Sequence, residues 1–209
     1  MSYLKKYSPL FLTVAVIGDF SVPYILGLFD SHFHQITDII SKLGETTSPM
    51  ANYFNHASIL TGSLFVLSSL GSVTYFPQEP KRFHQLLSFS LALYGFGDCI
   101  LSGLIRIGAH QSFFSLPYLL HASFTGLGML GMMFLSIICG SRMYEKGKRS
   151  WANFYMLCLL GSLVFFALFA AYYLPYIGSF LTPTRGLWQR LSLLFLYLPA
   201  LSLLLHQTD

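Results

Sequence analysis

Two carboxylates lie in apolar stretches of the sequence, where an ionisable side chain is costly to bury. Asp19 and Asp98 are both flanked by hydrophobic runs. Such a group is tolerated when it faces the interior of a helix bundle and finds a partner, and it then commonly marks a functional site. Ser102 and Arg106 follow Asp98 at intervals of four residues, which places all three on one helix face. The two carboxylates are candidates for binding an ion or a polar ligand. The alternative is a buried charge network that orients helices.

The position of Asp19 has a second consequence, because Pro23 follows it by four residues. Proline has no N–H to donate to the carbonyl of the residue four positions earlier. Asp19 is therefore expected to place a carboxylate beside an unsatisfied carbonyl. That combination suits a cation, a donor side chain or a water molecule, and equally a kink that a neighbouring helix satisfies.

Four further polar side chains are expected near helix ends: Asn55, His56, His121 and Arg190. Together with Asp98 they admit three kinds of chemistry. His56, His121 and Asp98 are ligand types that zinc accepts, with one position left for water, and Asp19 or Glu45 would then act as general base. Aspartate–histidine pairs also transfer protons, and asparagine, histidine and arginine bind polar head groups. A haem held by the two histidines is a further alternative.

The composition excludes a water-soluble domain. Of the 209 residues, 54% are hydrophobic and 10% are charged, and the mean hydropathy is +0.60, whereas soluble domains carry about 25% charged residues. The net charge of +4 comes from clusters rather than from a polar basic face, which argues against nucleic-acid binding. The three cysteines, Cys99, Cys139 and Cys158, form no Cys-x-x-Cys motif, so they are expected to be buried hydrophobes rather than a disulfide framework.

Six stretches are apolar enough to be transmembrane helices, which need about 20 residues each. They are residues 9–29, 51–76, 86–105, 116–140, 151–174 and 186–205. The first continues without a small-x-small cleavage site, so it is expected to be a retained helix rather than a removed signal peptide. The predicted fold is an all-α bundle in one transmembrane domain over residues 1–209.

Basic residues indicate the orientation of the chain. Eight of its twelve lysines and arginines fall on the side that holds the N-terminus, four of them in the short segment 141–150. Because cytoplasmic loops are enriched in lysine and arginine, both termini are expected in the cytoplasm, with the chain in a bacterial inner membrane. Five histidines then lie on the outer side: His32, His34, His56, His110 and His121. The polar residues that are not topology signals thus indicate an outward-facing pocket.

The first outer loop, residues 30–50, carries a helical pattern of its own. Apolar residues recur at helical spacing with polar residues between them: Phe33, Ile36, Ile39, Ile40 and Leu43. This spacing predicts an amphipathic helix that lies on the membrane surface or caps the bundle.

The order of these features resembles an uncharacterised family of prokaryotic membrane proteins, the domain of unknown function 998. The resemblance rests on residues 41–44 (Ser-Lys-Leu-Gly), Pro49, residues 51–55 (Ala-Asn-Tyr-Phe-Asn), His121 near the start of the fourth span and Arg190 at the head of the last. It covers most of the chain. The family typically carries Phe-Pro-x-Asp after the third span, where this chain reads Ile-Arg-Ile-Gly. The resemblance implies a polytopic membrane fold and supplies no established function.

Two functions follow from these residues. The leading hypothesis is a non-enzymatic protein whose outward-facing pocket binds a small polar ligand, an ion or a lipid head group in a transport, sensing or accessory role. The alternative is a metal-dependent hydrolase or transferase that acts on a lipid-like substrate at the outer leaflet. Zinc-dependent hydrolases of ceramide-like lipids resemble the chain in their membrane-embedded His, Asp and Ser. However, they carry a His-x-x-x-His pair on the last helix, where this chain has only His206.

Overall fold

The computed structural model describes residues 2–108, 112 and 114–206, so the predicted outer residue His110 lies outside the described residues. Six long helices account for most of the described chain. We number them in order: α1 (Ser2–Gly27), α2 (Ala51–Ser69), α3 (Lys81–Leu104), α4 (Leu116–Glu145), α5 (Arg149–Ala170) and α6 (Arg185–Ser202). Short helical turns fill several connections, among them Ile177–Leu181 before α6.

Five helical stretches of the described chain, rather than six, are long and apolar enough to cross a membrane. They are α1, α3, α4, α5 and the stretch Ile177–His206, which contains α6. α2 has 19 residues, but Asn52, Asn55 and His56 in its first turns lower its hydropathy. The described chain is therefore that of an all-helical, multi-pass membrane protein, and α2 is the one long helix described that is not hydrophobic enough to count among these spans.

The six helices form a ring in which each packs against the next one in sequence, and α6 closes the ring against α1. Successive helices run in alternating directions, so each connection lies at one of two ends of the ring. One end of the ring, which we call the basic end, holds the start of α1 and the connections from α2 to α3 and from α4 to α5. The opposite end, the distal end, holds the connections that follow α1, α3 and α5. The core between them contains fully buried side chains from all six helices, including Leu12, Phe65, Leu91, Met132, Tyr155 and Leu196.

An ion cluster fastens the basic end. Glu79, in the connection from α2 to α3, keeps only 1% of its side chain exposed and pairs with Arg142 and Lys146 at the end of α4. Burial alone would raise the pKa of Glu79, but the hydrogen bonds and charges of Lys146 and Arg142 outweigh it. The pKa of Glu79 is therefore lowered from its ordinary value of 4.5. The cluster ties two neighbouring connections to one end of the bundle.

A tight turn between α4 and α5 completes that end. Gly147 has a φ of +72°, a conformation that residues with a Cβ rarely adopt. The N–H groups of Gly147 and Lys148 donate to the carbonyls of Tyr144 and Met143, which closes the last turn of α4. Glycine at this position thus lets α5 start almost at once and pack back along α4.

The prediction of an amphipathic helix in the first distal loop is wrong. Residues 30–39 form turns, and only Ile40–Gly44 makes a short 3₁₀ helix. The reason is that carbonyl groups of this loop, which would accept hydrogen bonds within a helix, accept them from α6 instead. The N–H groups of Leu187 and Gly186 donate to the carbonyls of Ile36 and Thr37, at 2.9 and 3.2 Å. The loop therefore caps the distal end by pairing with the start of α6 rather than by forming its own helix.

Candidate functional site

Asp19 lies in the middle of the bundle, where α1, α2, α3 and α6 meet. Its Oδ2 accepts hydrogen bonds from the hydroxyls of Tyr94 on α3 and Tyr197 on α6, each at 2.7 Å. Its Oδ1 lies 3.2 Å from the hydroxyl oxygen of Thr61 on α2. Both tyrosines and the threonine are buried. One carboxyl group thus joins four helices of the ring.

Three oxygens at this centre form a closed triangle. The hydroxyl oxygens of Tyr94 and Tyr197 lie 2.7 Å from each other as well as from Asp19. If Asp19 is ionised, both hydroxyls donate to it, and the contact between the two tyrosines contains no proton. If Asp19 is protonated, a cyclic arrangement places one proton in each of the three contacts. A proton on Asp19 would thus give each contact of the triangle a donor and an acceptor.

A second carboxylate, Asp98, lies against this triangle. The ligand atoms of Asp19, Asp98 and Cys99 all lie within 4.8 Å of one another. The thiol of Cys99 is 3.7 Å from Asp19 Oδ2, and the side chains of Tyr94 and Thr125 flank the carboxylate of Asp98. Two carboxylates this close repel each other in a low dielectric, and a proton or a cation between them would remove that repulsion.

The turn that carries Asp98 is π-helical over Gly95–Leu101. π-helical turns are rare and occur often at functional sites. The neighbouring helices hold this turn closely. A methyl group at Gly62 would lie 2.5 Å from the carbonyl oxygen of Gly95, and one at Gly128 would lie 2.5 Å from the Cβ of Asp98. Glycine lets α2 and α4 approach the π-helical turn from two sides.

A line of polar groups continues from Asp98 toward the distal end. The hydroxyl of Ser102 donates to the carbonyl of Asp98, and Nδ1 of His121 lies 3.2 Å from the carbonyl oxygen of Ser102. A carbonyl only accepts hydrogen bonds, so Nδ1 carries the proton in this contact. Thr125 and His121 are four residues apart on α4 and therefore face α3 together.

The structure brings together two of the predicted site residues, Asp19 and Asp98, and places His121 further toward the distal end. Within the described part of the chain, the three side chains whose ligand atoms converge are Asp19, Asp98 and Cys99, not the predicted zinc set of His56, His121 and Asp98. His56 is exposed on α2. Its Nδ1 lies 2.6 Å from the carbonyl oxygen of its own helix at Asn52.

Asp98, Ser102 and Arg106 were predicted to share one helix face, but Arg106 does not lie on it. Ser102 stays next to Asp98, but α3 ends at Leu104, and Arg106 is exposed in the segment beyond it. Two features of the backbone account for this. The π-helical turn is wider than an α-helical one, and Ile105 has an extended conformation with φ −92° and ψ 93°.

Arg190 and Asn55, which were also predicted to bind a ligand, hold the first distal loop. The guanidinium of Arg190 is buried, donates to Oε1 of Gln35 at 2.7 Å and donates to the carbonyl of Asp38 at 2.9 Å. The amide of Asn55 is also buried and donates to the carbonyl of Gly44 at 3.2 Å. These contacts support a positioning role for both side chains.

The sequence reasoning missed Tyr94, Tyr197 and Thr61, and it interpreted Cys99 as a buried hydrophobe. A signal existed for the two tyrosines, because a phenol hydroxyl inside a membrane span needs a hydrogen-bond partner. The same signal is weaker for Thr61, whose hydroxyl also lies within hydrogen-bonding distance of the Ser58 carbonyl in its own helix.

The central residues fall inside a stretch that matches a known family model. The model is described as Protein of unknown function (DUF998), and it matches residues 13–206, from α1 to the end of the described chain. No curated protein and no solved structure matches the chain. With this match over most of its length, the chain belongs to the DUF998 family of proteins of unknown function.

Proposed function

We propose that this protein binds a proton at the pair Asp19 and Asp98 and uses its uptake or release in a transport or sensing role. The observation that carries the proposal is the closed triangle of Asp19, Tyr94 and Tyr197 with a second carboxylate beside it. A proton satisfies the triangle and removes the repulsion between the two carboxylates. Such a centre takes up or loses a proton as its surroundings change, which is the common use of ionisable groups inside membrane spans.

The proposed route to this centre starts at the distal end. Ser102, His121 and Thr125 supply hydroxyl and imidazole groups between Asp98 and that end of the bundle. A histidine relays protons by taking one up at one ring nitrogen and releasing one from the other, and Thr125, on the same face of α4, lies beside the carboxylate of Asp98. This route keeps the outward-facing character of the predicted pocket, with a proton as its ligand.

We also propose that α2 is a sixth span, in a single transmembrane domain with both termini in the cytoplasm of a bacterial inner membrane. Packing of α2 between α1 and α3 supports the sixth span. The concentration of basic residues at one end of the ring supports the orientation.

The alternative of a metal-dependent hydrolase acting on a lipid-like substrate gains no support from the geometry. It requires a metal whose open position activates water. His56 is exposed on α2 and bonds to its own helix, so it does not join Asp98 and His121 in a ligand set. Metal analysis of the purified protein tests this alternative directly.

Infrared spectroscopy of the purified protein tests the proposed proton. The C=O stretch of a protonated carboxylic acid is resolved from the bands of carboxylates. We expect this band in the wild type at neutral pH and its loss in Asp19→Asn. The exposed carboxylate of Glu145 provides a control, and Glu145→Gln should leave the band in place.

Two results would overturn the proposal. One is the absence of a protonated carboxyl at neutral pH, and the other is a band that survives both Asp19→Asn and Asp98→Asn. Loss of the wild-type band on addition of Na⁺, Ca²⁺ or Zn²⁺ would show that a metal cation displaces the proton from the same carboxylates. If no added cation changes the band, the proton is the ligand.

A further inference from the structure

Gln35 in the first distal loop joins the ends of two helices. Its Nε2 donates to the carbonyls of Pro23 and Tyr24 near the end of α1, at 3.1 and 3.3 Å. Its Oε1 accepts two hydrogen bonds from the buried guanidinium of Arg190 on α6, at 2.7 and 3.1 Å. One side-chain amide therefore ties α1 to α6 where these two helices close the ring.

Two glycines make room for Gln35 at these helix ends. A methyl group at Gly27, the last residue of α1, would collide with the amide of Gln35 and lie 2.8 Å from the ring of Phe33. A methyl group at Gly186, in the first turn of α6, would lie 2.9 Å from the carbonyl oxygen of Gln35 and 2.8 Å from the guanidinium of Arg190. Gln35 is thus packed closely against both helices.

The tie lies on the distal side of the central triangle. Pro23 follows Asp19 by four residues, about one helical turn, and it removes the hydrogen bond that would join this turn to the carbonyl of Asp19. Arg190 precedes Tyr197 by seven residues, about two turns, so both lie on one face of α6. The backbone of α1 is therefore weakest just beyond Asp19, and Gln35 holds the helix at that point.

We propose that Gln35 is a positioning residue for the pair Asp19 and Asp98. By tying the end of α1 to α6, it keeps Tyr197 against Asp19 and keeps water from the distal end out of the junction between the two helices. Proton exchange is then confined to the proposed route along α3 and α4. This inference rests on the proposed function, because the proton centre is what Gln35 positions.

Two native cysteines separate a local opening from general loosening of the fold. The thiol of Cys99 is 3.7 Å from Asp19 Oδ2, whereas Cys139 is fully buried in the basic half of α4. Gln35→Met removes the amide and keeps a side chain of similar length. It should raise the rate at which N-ethylmaleimide modifies Cys99 in the purified protein about tenfold, as loss of a hydrogen bond to a charged group would, and leave Cys139 unchanged. An unchanged Cys99, or an equal rise at both cysteines, would overturn the proposal.

Gln189→Met is the matched control. Oε1 of Gln189 accepts a hydrogen bond from the N–H of Ile40 at 2.8 Å, and this contact ties the same loop to α6 alone. The variant should leave Cys99 as protected as in the wild type. Equal exposure of Cys99 in Gln189→Met and Gln35→Met would show that any loosening of the loop opens the centre, and the specific role of Gln35 would be lost.

Two further variants test the contact with α1. Gln35→Glu keeps an acceptor for Arg190 but has no N–H for the carbonyls of α1, and Gly27→Ala places a methyl group where the amide of Gln35 lies. Both should expose Cys99, and Gly27→Ala keeps the test open if the variants of Gln35 do not fold. Full protection of Cys99 in either variant would mean that the tie to α1 does not close the centre.

The infrared band of the protonated carboxyl links the tie to the proton. Gln35→Met should shift this band, because Tyr197 is no longer held against Asp19, and Gln189→Met should not. A wild type without the band would refute the proposed proton, while the cysteine rates would still decide whether Gln35 closes the junction. A band that is identical in the wild type and Gln35→Met would overturn the positioning of Asp19 by Gln35.

Discussion

Asp19 and Asp98 are neighbouring carboxyl groups with different surroundings, so the same substitution should affect them in opposite ways. In the proposed protonated triangle, one oxygen of Asp19 accepts one hydrogen bond and donates another, which neither the oxygen nor the nitrogen of an amide achieves alone. We expect Asp19→Asn to destabilise the protein by about 1–3 kcal/mol, the usual effect of leaving buried donors unsatisfied. Asp98→Asn removes a carboxylate from beside Asp19 and keeps a hydrogen-bonding group of nearly the same shape. It should therefore leave the melting temperature in detergent unchanged or higher.

Arg106 provides the control for this residue-scale prediction. If Asp98 were locked to Arg106, Asp98→Asn would lower stability and Arg106→Gln would restore it. The structure places Arg106 exposed beyond the end of α3. We therefore expect Arg106→Gln to change stability by less than about 0.5 kcal/mol in either background, as is usual for surface positions. A rescue by the double variant would contradict the placement of Asp98 beside Asp19.

The two carboxylates could be predicted from the sequence because a charge in an apolar run is unusual wherever it points. The hydrogen-bond partners of these carboxylates could not be predicted. Tyr94 and Tyr197 reach Asp19 only because α3 and α6 turn the faces that carry them toward α1. The sequence of a single helix does not determine its place or its rotation in the ring. The same limit explains His56, which shares a spacing pattern with the predicted site but faces away from it.

At the scale of helices, the π-helical turn of α3 packs against one glycine of α4, Gly128, and not against its neighbour Gly126. A methyl group at Gly128 would lie within 2.6 Å of the backbone nitrogen of Asp98, whereas nothing lies within 4 Å of one at Gly126. Gly128→Ala should therefore cost about 1–3 kcal/mol, as overpacking does, and displace Asp98. Gly126→Ala should be neutral or should stabilise α4 by up to about 1 kcal/mol, because alanine favours helix.

Thermal unfolding of the two glycine variants, together with the infrared band of the protonated carboxyl, measures both effects. Gly128→Ala should weaken or shift the band, because displacement of Asp98 changes the neighbour of Asp19. Gly126→Ala should leave it as in the wild type. Equal melting temperatures for the two variants would mean that α4 does not press on the π-helical turn.

Local patterns gave the helices but not the irregular elements. The π-helical turn was not predicted, because no motif within Gly95–Leu101 marks it and the glycines that pack against it, Gly62 and Gly128, lie on other helices. The first distal loop shows the opposite error. Its apolar spacing was real, but the start of α6 competes for its carbonyls, so tertiary hydrogen bonds replaced the predicted helix.

The ion cluster at the basic end should make stability depend on acid. The pKa of Glu79 is lower in the folded protein than in the unfolded chain, so its ionised form stabilises the fold at pH values above about 4.5. This stabilisation is lost as the pH falls through the folded-state pKa. Glu79→Gln should lower the melting temperature at neutral pH, and its difference from the wild type should shrink below about pH 4.5.

A series of melting curves at decreasing pH measures this effect, with Glu145→Gln as the control. Glu145 pairs with the same Arg142, but its side chain is 63% exposed, and exposed pairs contribute little to stability. We expect the control to follow the wild type at every pH. A constant difference between Glu79→Gln and the wild type down to acid pH would contradict a lowered pKa for Glu79.

At the scale of the whole molecule, hydropathy predicted most of the helices but left one span undecided. Two polar residues of α2 make contacts outside the helix, because Asn55 holds the distal loop and Thr61 reaches Asp19. Both residues lower the mean hydropathy of α2. Contacts at the two ends of α2 indicate whether the helix runs from one end of the bundle to the other. The loop before α2 pairs with the start of α6 at the distal end, and Glu79 after α2 pairs with Arg142 and Lys146 at the basic end.

If α2 crosses the membrane, the loops on either side of it face opposite compartments. Ser31, before α2, and Gln78, after it, are both exposed, and the native cysteines Cys99, Cys139 and Cys158 are buried. Ser31→Cys should react with a membrane-impermeant thiol reagent on intact cells, and Gln78→Cys should react only after permeabilisation. Labelling of both on intact cells would mean that α2 does not cross. Labelling of Gln78→Cys alone would reverse the proposed orientation, and the basic end would then face outward.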